Sequence, residues 1–375
     1  MKVKYASLVV LLVLVLAAGT TSEAVSTRDI DAVREKGVLD SADLLIIDGF
    51  VSEGVQELLS TADFTSIANV RTAILSRDSS TTGSAAAQYT EQFSESAYKY
   101  VSEGLKSADG IKPAARKVKV IINLLILVDG LANPRLADLA IGMLNNENTA
   151  IRYWAIHCVT NPDITRRLNS VAATDSKSAE RITEELKKVV EKASPESLEL
   201  MARFAADVKI GQGEDLLLQI VDMRISRYAN WSVDNAVLDA EILKLLSGKV
   251  LSAGSEKPAV AQRFGQLYSY AIQRYIRGQD VLSAAEKNQL VSVLVETEQS
   301  CIGKLLDMPQ SIVQKAIEQS DLKSLLAEHN RLLGDETGAG KLALKLNFDY
   351  GKAPDGEKRI APLALPEPPK AEGAR

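Results

Sequence analysis

Apolar residues recur at helical spacing along most of the chain. From Ser41 to Leu59, and again from Ala85 to Leu105, they follow one another three or four positions apart, which predicts amphipathic helices. Residues 114–131 are apolar on nearly every side, so this helix is predicted to be central and covered on both sides. Residues 177–193 are mostly charged, and we expect that helix to lie outside with only its apolar positions turned inward.

Prolines punctuate this pattern at the predicted helix starts. Proline at the first helical position loses no hydrogen bond. Six prolines stand just before helical patterns: Pro113, Pro134, Pro162, Pro195, Pro258 and Pro309. The pattern therefore predicts an all-α fold over residues 25–334, arranged as an irregular α-α superhelix.

The last part of the chain has a different pattern. Residues 341–350 alternate apolar and polar side chains, which predicts an extended segment or a short strand. Residues 351–375 contain five prolines and scattered charges, a composition typical of disordered or polyproline-like segments. We therefore expect a low-order tail over residues 335–375.

The N-terminus has the three parts of a secretory signal. Lys2 and Lys4 are followed by an apolar run from Leu8 to Leu16 and then by small residues ending at Ala24. The alternative, a transmembrane anchor, needs about 20 apolar residues. We predict a signal peptide over residues 1–24, cleaved near Ala24, and an exported protein located in the periplasm or outside the cell. No later segment is apolar enough to span a membrane.

The charge and the cysteine content bear on the class of partner and on disulfide formation. The formal net charge is −5 at pH 7, which argues against a nucleic-acid binder because such proteins normally carry a basic surface. Export would allow a disulfide between Cys158 and Cys301. Both cysteines stand among apolar helical neighbours, which favours two buried thiols, although the sequence leaves the pairing open.

Residues 133–160 resemble a HEAT repeat. Residues 144–148 supply the short Asn-rich loop of such a repeat, and residues 151–155 supply the hydrophobic-Arg-x-x-Ala start of its second helix. The resemblance covers a unit of about residues 116–160. It implies a helical array with a binding or scaffolding surface and implies no chemistry. It also implies that Arg152 bonds the loop of an adjacent repeat.

Catalytic and cofactor motifs are incomplete. Residues 335–342 would form a phosphate loop only with glycine in place of Asp335 and serine or threonine in place of Leu342. The two histidines, His157 and His329, lack partners at metal-ligand spacing, and no G-x-S-x-G motif accompanies them. Glu95 lacks the sequence that follows the catalytic glutamate of helical cell-wall lytic enzymes. We therefore predict no catalytic, cofactor-binding or metal-binding residue.

The best candidate for a binding site lies on the helix predicted from Asp215 to Trp231. Arg224, Arg227, Tyr228 and Trp231 share one helical face, and arginine and aromatic residues are enriched at interface hot spots. The alternative is that the aromatic rings pack between helices while the arginine stems reach the surface. A similar set, with Tyr268, Ile272 and Tyr275 near Arg274 and Arg277, lies on a later helix.

These observations predict an exported, non-catalytic binding or scaffold protein that presents a helical surface to a protein or peptide partner. One alternative is an exported carboxylate-dependent hydrolase acting on cell-envelope material. Another is a structural component of the envelope that is held in place by its tail.

Overall fold

The chain is mostly α-helical in the computed structural model, which describes residues 26–170, 173–253, 257–353 and 356–369. The predicted signal peptide at residues 1–24 lies outside these residues. The helices before residue 140 are α1 (Arg28–Arg34), α2 (Ser41–Ser60), α3 (Phe64–Leu75), α4 (Ala86–Ser107) and α5 (Ala114–Leu131), followed by α6 (Pro134–Ile141). The next helices are α7 (Thr149–Val159), α8 (Pro162–Ser170), α9 (Ala173–Lys187), α10 (Pro195–Asp207), α11 (Gly211–Ala229) and α12 (Leu238–Ala253).

The remaining elements complete the C-terminal part. They are α13 (Pro258–Arg277), α14 (Ala284–Thr297), a π-helical segment (Glu298–Ile302), α15 (Gly303–Leu306), α16 (Ile312–Glu318), α17 (Leu322–Leu333), strands β1 (Gly334–Asp335) and β2 (Gly338–Ala339), and α18 (Lys341–Leu346). The two short strands pair antiparallel. The prediction of an all-α fold is therefore confirmed. No helix within the described ranges is both long and apolar enough to cross a membrane.

The helices form two compact units, Met1–Leu139 and Ala140–Arg375. In the first unit, α2 packs along α4, and α5 contacts α2, α3 and α4. The predicted central position of α5 is confirmed, since Leu124, Leu125, Leu127 and Val128 are buried on different sides of the helix. Gly104 permits this packing because a Cβ atom there would lie 3.1 Å from Val55 on α2 and 3.3 Å from Leu124 on α5.

In the second unit, α13 is the central helix. It contacts α11, α12, α14, α17 and α18, and every residue from Phe264 to Arg274 is buried. The predicted outer helix α9 turns Ile182 and Leu186 into the core and keeps its charged residues outside, as expected. Cys158 and Cys301 are both buried, and no disulfide joins them. Four of the six prolines are the first residues of helices as predicted, among them Pro195 of α10 and Pro258 of α13. Pro113 directly precedes α5, whereas Pro309 lies three residues before the start of α16.

The HEAT-like segment forms two helices, α6 and α7, joined by a short loop. Asn148 caps α7 because its side chain accepts hydrogen bonds from the backbone of Ala150 and Ile151. The guanidinium group of Arg152 donates to the carbonyl oxygens of Asn146 and Glu147, at 2.8 and 2.9 Å. Both acceptors belong to the loop that joins α6 to α7, so Arg152 binds the loop of its own helix pair.

The C-terminal part differs from the sequence prediction. The extended segment predicted for residues 341–350 is wrong over Lys341–Leu346, which is helix α18. Leu342 and Ala343 are buried and α18 contacts α13 and α17, whereas Leu344, in the middle of the alternating pattern, is 70% exposed. Packing against two helices therefore selected the helical stripe over the alternation. The described part of the predicted low-order tail has no regular secondary structure over residues 361–369, but Tyr350 and Leu365 are buried.

Candidate functional site

Two of the four predicted partner-binding residues lie in the core. Arg224 donates to both carboxylate oxygens of Asp239, from Nε at 2.7 Å and from Nη2 at 2.9 Å. The hydroxyl group of Tyr228 donates to the same carboxylate at 2.8 Å. All three side chains are fully buried. Burial, reinforced by the Asp239 carboxylate, raises the pKa of Tyr228 well above its usual value. Arg224 and Tyr228 thus join α11 to α12 and expose no surface to a partner.

The other two residues lie nearer the surface. Arg227 is partly exposed and donates to Asp234 at 2.9 Å. Trp231 lies just after the end of α11, and its backbone is in the left-handed region with φ at 57°. Residues other than glycine rarely adopt this conformation, and it often marks functional positions. The guanidinium group of Arg274 lies 5.1 Å from the centre of the Trp231 ring, within the range of a cation–π interaction. Trp231 is thus the member of the predicted set that meets another chain segment at the surface.

That segment is the chain's own C-terminal stretch, residues 361–369, which lies along α13 without regular secondary structure. Gln266 accepts a hydrogen bond from the backbone N–H of Leu363 at 2.8 Å and donates to its carbonyl oxygen at 3.3 Å. Gln273, seven positions later and on the same face of α13, donates to the carbonyl oxygen of Leu363 at 3.1 Å. It also accepts from the N–H of Leu365 at 2.7 Å. Two side-chain amides of α13 therefore form hydrogen bonds with the backbone of an extended peptide.

Further contacts fix the rest of this segment. Arg277 donates to the carbonyl oxygen of Leu365 at 2.5 Å and lies 3.3 Å from the carboxylate of Glu367. The indole N–H of Trp231 donates to the carbonyl oxygen of Pro366 at 2.9 Å. The Leu365 side chain is only 1% exposed and anchors the segment. We call the surface formed by Trp231, Gln266, Gln273 and Arg277 the α13 groove.

A layer of polar residues behind the groove orients Gln273. The Gln273 amide donates to Ser269 Oγ at 2.8 Å, and Ser269 Oγ lies 2.8 Å from His329 Nε2. His329 Nδ1 lies 2.9 Å from the side-chain oxygen of Asn330. Burial lowers the pKa of His329, so the ring is neutral near pH 7. Nδ1–H then donates to Asn330 while Nε2 accepts from Ser269. This chain holds the Gln273 amide in the orientation that binds Leu363 and Leu365.

Ser269, His329 and Asn330 are joined in series by hydrogen bonds, as a nucleophile, a base and an orienting residue are in nucleophilic hydrolases. Ser269 is fully buried in the middle of α13, however, and its oxygen already accepts a hydrogen bond from Gln273. A substrate therefore has no access to Ser269 Oγ. The geometry supports an orienting role for these residues.

Two buried glutamates bear on the hydrolase alternative. Glu298 accepts hydrogen bonds from the backbone of Val313 and Gln314, at 2.8 and 2.9 Å. Glu328 is held by Arg331, at 2.5 and 2.6 Å. Both carboxylates are engaged by the chain itself, which indicates structural roles. Within the described residues, no group of three or more His, Cys, Asp or Glu side chains could hold a metal ion.

The sequence pattern located only part of this site. It identified Trp231 and the arginines near the end of α13, but it did not identify Gln266 and Gln273. Glutamine on a helix carries no specific signal, because it is ordinarily a solvated residue. These two are 7% and 8% exposed, and burial of an amide requires partners for its polar atoms. The seven-residue spacing between them, next to the apolar stripe of α13, was the one available clue.

No family model matches the chain, and no curated protein is significantly similar to it.

The C-terminal segment reaches the groove through residues that pack at a glycine of α13. A Cβ atom at Gly265 would lie 2.9 Å from the hydroxyl oxygen of Tyr350 and 3.2 Å from the ring of Phe348. Gly265→Ala should therefore push both rings outward and lower the free energy of unfolding by about 1–3 kcal/mol, despite the better helix propensity of alanine. Chemical denaturation measures the loss, and limited proteolysis after residue 346 should become faster.

Gly248 provides the matched control for this substitution. It lies within α12, and a Cβ atom there would meet nothing within 4 Å. Gly248→Ala should raise the free energy of unfolding by up to about 1 kcal/mol. An equal gain for both variants would show that residues 348–350 do not pack against α13.

Proposed function

We propose that this chain is an exported, non-catalytic binding protein that holds an extended segment of a partner protein in the α13 groove. The observation that carries the proposal is the set of hydrogen bonds from Gln266 and Gln273 to the backbone of Leu363 and Leu365. Residues 361–369 then stand in for the partner segment. A proline-containing peptide is already extended before it binds, so less conformational entropy is lost when it is ordered in the groove.

The polar character of the groove supports a role in peptide binding. Four hydrogen bonds join the amides of Gln266 and Gln273 to the backbone of the segment, and without a peptide these amides would face solvent and bond to water instead. A helix whose only task was packing would carry apolar residues at these positions. The nearly complete burial of Leu365 adds specificity, because one apolar side chain must fit beside the backbone contacts.

The predicted signal peptide and the HEAT-like segment agree with this proposal. A signal at residues 1–24 would place the groove outside the cytoplasm, where extended protein segments of the envelope are the available partners. Helical repeat proteins generally bind proteins or peptides on their exposed faces.

A peptide-binding experiment tests the proposal. The full-length chain with Leu365→Asp would have its own segment displaced, because a buried carboxylate without a partner is strongly unfavourable. A fluorescently labelled peptide of the natural sequence 361–369 should then bind, as measured by fluorescence anisotropy. The unsubstituted chain should bind it at least tenfold more weakly, because its groove is filled.

Variants of the groove make the test specific. Adding Gln273→Ala to the Leu365→Asp chain should weaken peptide binding about tenfold, since two backbone contacts are lost. Gln56→Ala, at an exposed position of α2, is the matched control and should change nothing. Absence of peptide binding to the Leu365→Asp chain, with its thermal unfolding still cooperative, would overturn the proposed function.

A further inference from the structure

A cavity of about 230 Å³ adjoins the α13 groove, beside the C-terminal segment. Its walls include Ile276 of α13, Leu326 of α17, and Asp335 and Glu336 of the hairpin. The C-terminal segment contributes Ala361, Pro362 and Ala364 to the same cavity. Alanine side chains are short, so the chain's own segment leaves most of this space unfilled.

The register of the segment at this cavity is fixed. Leu363 and Leu365 are both held by backbone hydrogen bonds to Gln266 and Gln273, and Ala364 lies between them. Any segment that makes the same bonds must place its corresponding residue beside the cavity. That position can therefore select a side chain, whereas the backbone bonds on either side cannot.

The charges around the cavity favour a cation. Within the described residues, neither Asp335 nor Glu336 forms an ion pair; Asp335 accepts hydrogen bonds from the backbone and hydroxyl of Thr337, at 2.8 and 2.6 Å. Arg277, a cation that lines the same cavity, is already engaged by the Leu365 carbonyl and by Glu367. Two carboxylates thus remain at the cavity without a cationic partner.

The apolar walls complete the match to a long basic side chain. Ile276 and Leu326 can cover the methylene groups of lysine or arginine while the charged end reaches the carboxylates, an arrangement common for these residues. An acidic side chain at this position would be repelled by the same carboxylates. We infer that the α13 groove selects extended protein segments with lysine or arginine at the position of Ala364, followed by an apolar residue at the position of Leu365.

This inference rests on the proposed function, and its test separates the two. Four peptides of residues 361–369 are titrated into the full-length Leu365→Asp chain: the natural sequence and versions with Ala364→Lys, Ala364→Met or Ala364→Glu. The lysine peptide should bind about fivefold more tightly than the natural one, in line with a partly exposed ion pair. The methionine peptide, of similar length without charge, should gain less than the lysine peptide, and the glutamate peptide should bind more weakly than the natural one.

Charge is then removed from the protein. With Glu336→Gln, the advantage of the lysine peptide should fall to twofold or less, while binding of the natural peptide should be unchanged. Glu53→Gln, at an exposed position of α2, is the matched control. Raising the salt concentration from 50 to 500 mM should reduce the same advantage.

The outcomes are distinguishable. If no peptide binds the Leu365→Asp chain, the proposed function fails. If the natural peptide binds and the methionine peptide equals or exceeds the lysine peptide, the groove binds peptides but the inferred preference for a basic residue is overturned.

Discussion

Asp239→Ala is expected to lower the free energy of unfolding by about 3–5 kcal/mol, the typical loss when one partner of a buried ion pair is removed. The substitution leaves Arg224 fully buried with its charge uncompensated and removes the acceptor of the Tyr228 hydroxyl group. The Asp234 carboxylate cannot take over, because it is largely exposed and makes a single longer contact of 3.2 Å with Arg224. Equilibrium unfolding in urea measures the loss.

Two comparisons make this prediction decisive. Asp234→Ala removes an exposed carboxylate near the same arginine and should cost less than about 1 kcal/mol. The triple variant Arg224→Met, Tyr228→Phe, Asp239→Leu removes the whole network and should be more stable than Asp239→Ala alone, because no buried polar group then lacks a partner. Equal losses for Asp234→Ala and Asp239→Ala would contradict the burial of the pair.

Glu298→Ala should lower the free energy of unfolding by about 2–3 kcal/mol, because hydrogen bonds to a charged group contribute about 1.5–3 kcal/mol each and some of this is offset by relief of burying the charge. The Glu298 carboxylate accepts the backbone N–H groups of Val313 and Gln314, in the first turn of α16. Ser311, at the usual capping position of α16, makes no capping bond. A glutamate from the π-helical segment therefore caps a helix that its own sequence leaves uncapped.

Ser311→Ala is the control for this prediction. It should change the free energy of unfolding by less than about 0.5 kcal/mol, although loss of a serine cap ordinarily costs about 1 kcal/mol. Glu298→Gln should fall between the two, since one acceptor oxygen remains. If Ser311→Ala proved as destabilising as Glu298→Ala, the cap would have to be local.

Sequence periodicity and the positions of the prolines located many of the helices. Spacing located α2, α4, α5 and α9, and the prolines marked the starts of four others, because burial of an apolar stripe and the geometry of the first turn are local properties. It failed at α18, where alternation and a helical stripe coexist in six residues. Packing against α13 and α17 decided between them, and no local signal reports such packing.

The site was harder to predict for a related reason. Arg224 and Tyr228 were grouped with Trp231 by helical spacing, but Asp239, ten or more residues away, draws both into the core. The groove combines Trp231, two glutamines of α13 and a segment near residue 365, which are far apart in sequence. Proline-rich composition predicted a disordered or polyproline-like tail but not its backbone contacts to Gln266 and Gln273.

The covalent connection between the α13 groove and residues 361–369 sets a threshold for any competitor. Even a short flexible linker gives an attached ligand an effective concentration on the order of millimolar, and here Phe348 and Tyr350 pack against α13 just before the segment. A free partner at about 1 µM would need roughly a thousandfold greater intrinsic affinity to occupy half of the molecules, far more than one additional ion pair supplies. Partners present at high local density, such as repeated segments on one surface, would therefore displace residues 361–369 from the groove. Dilute partners would not.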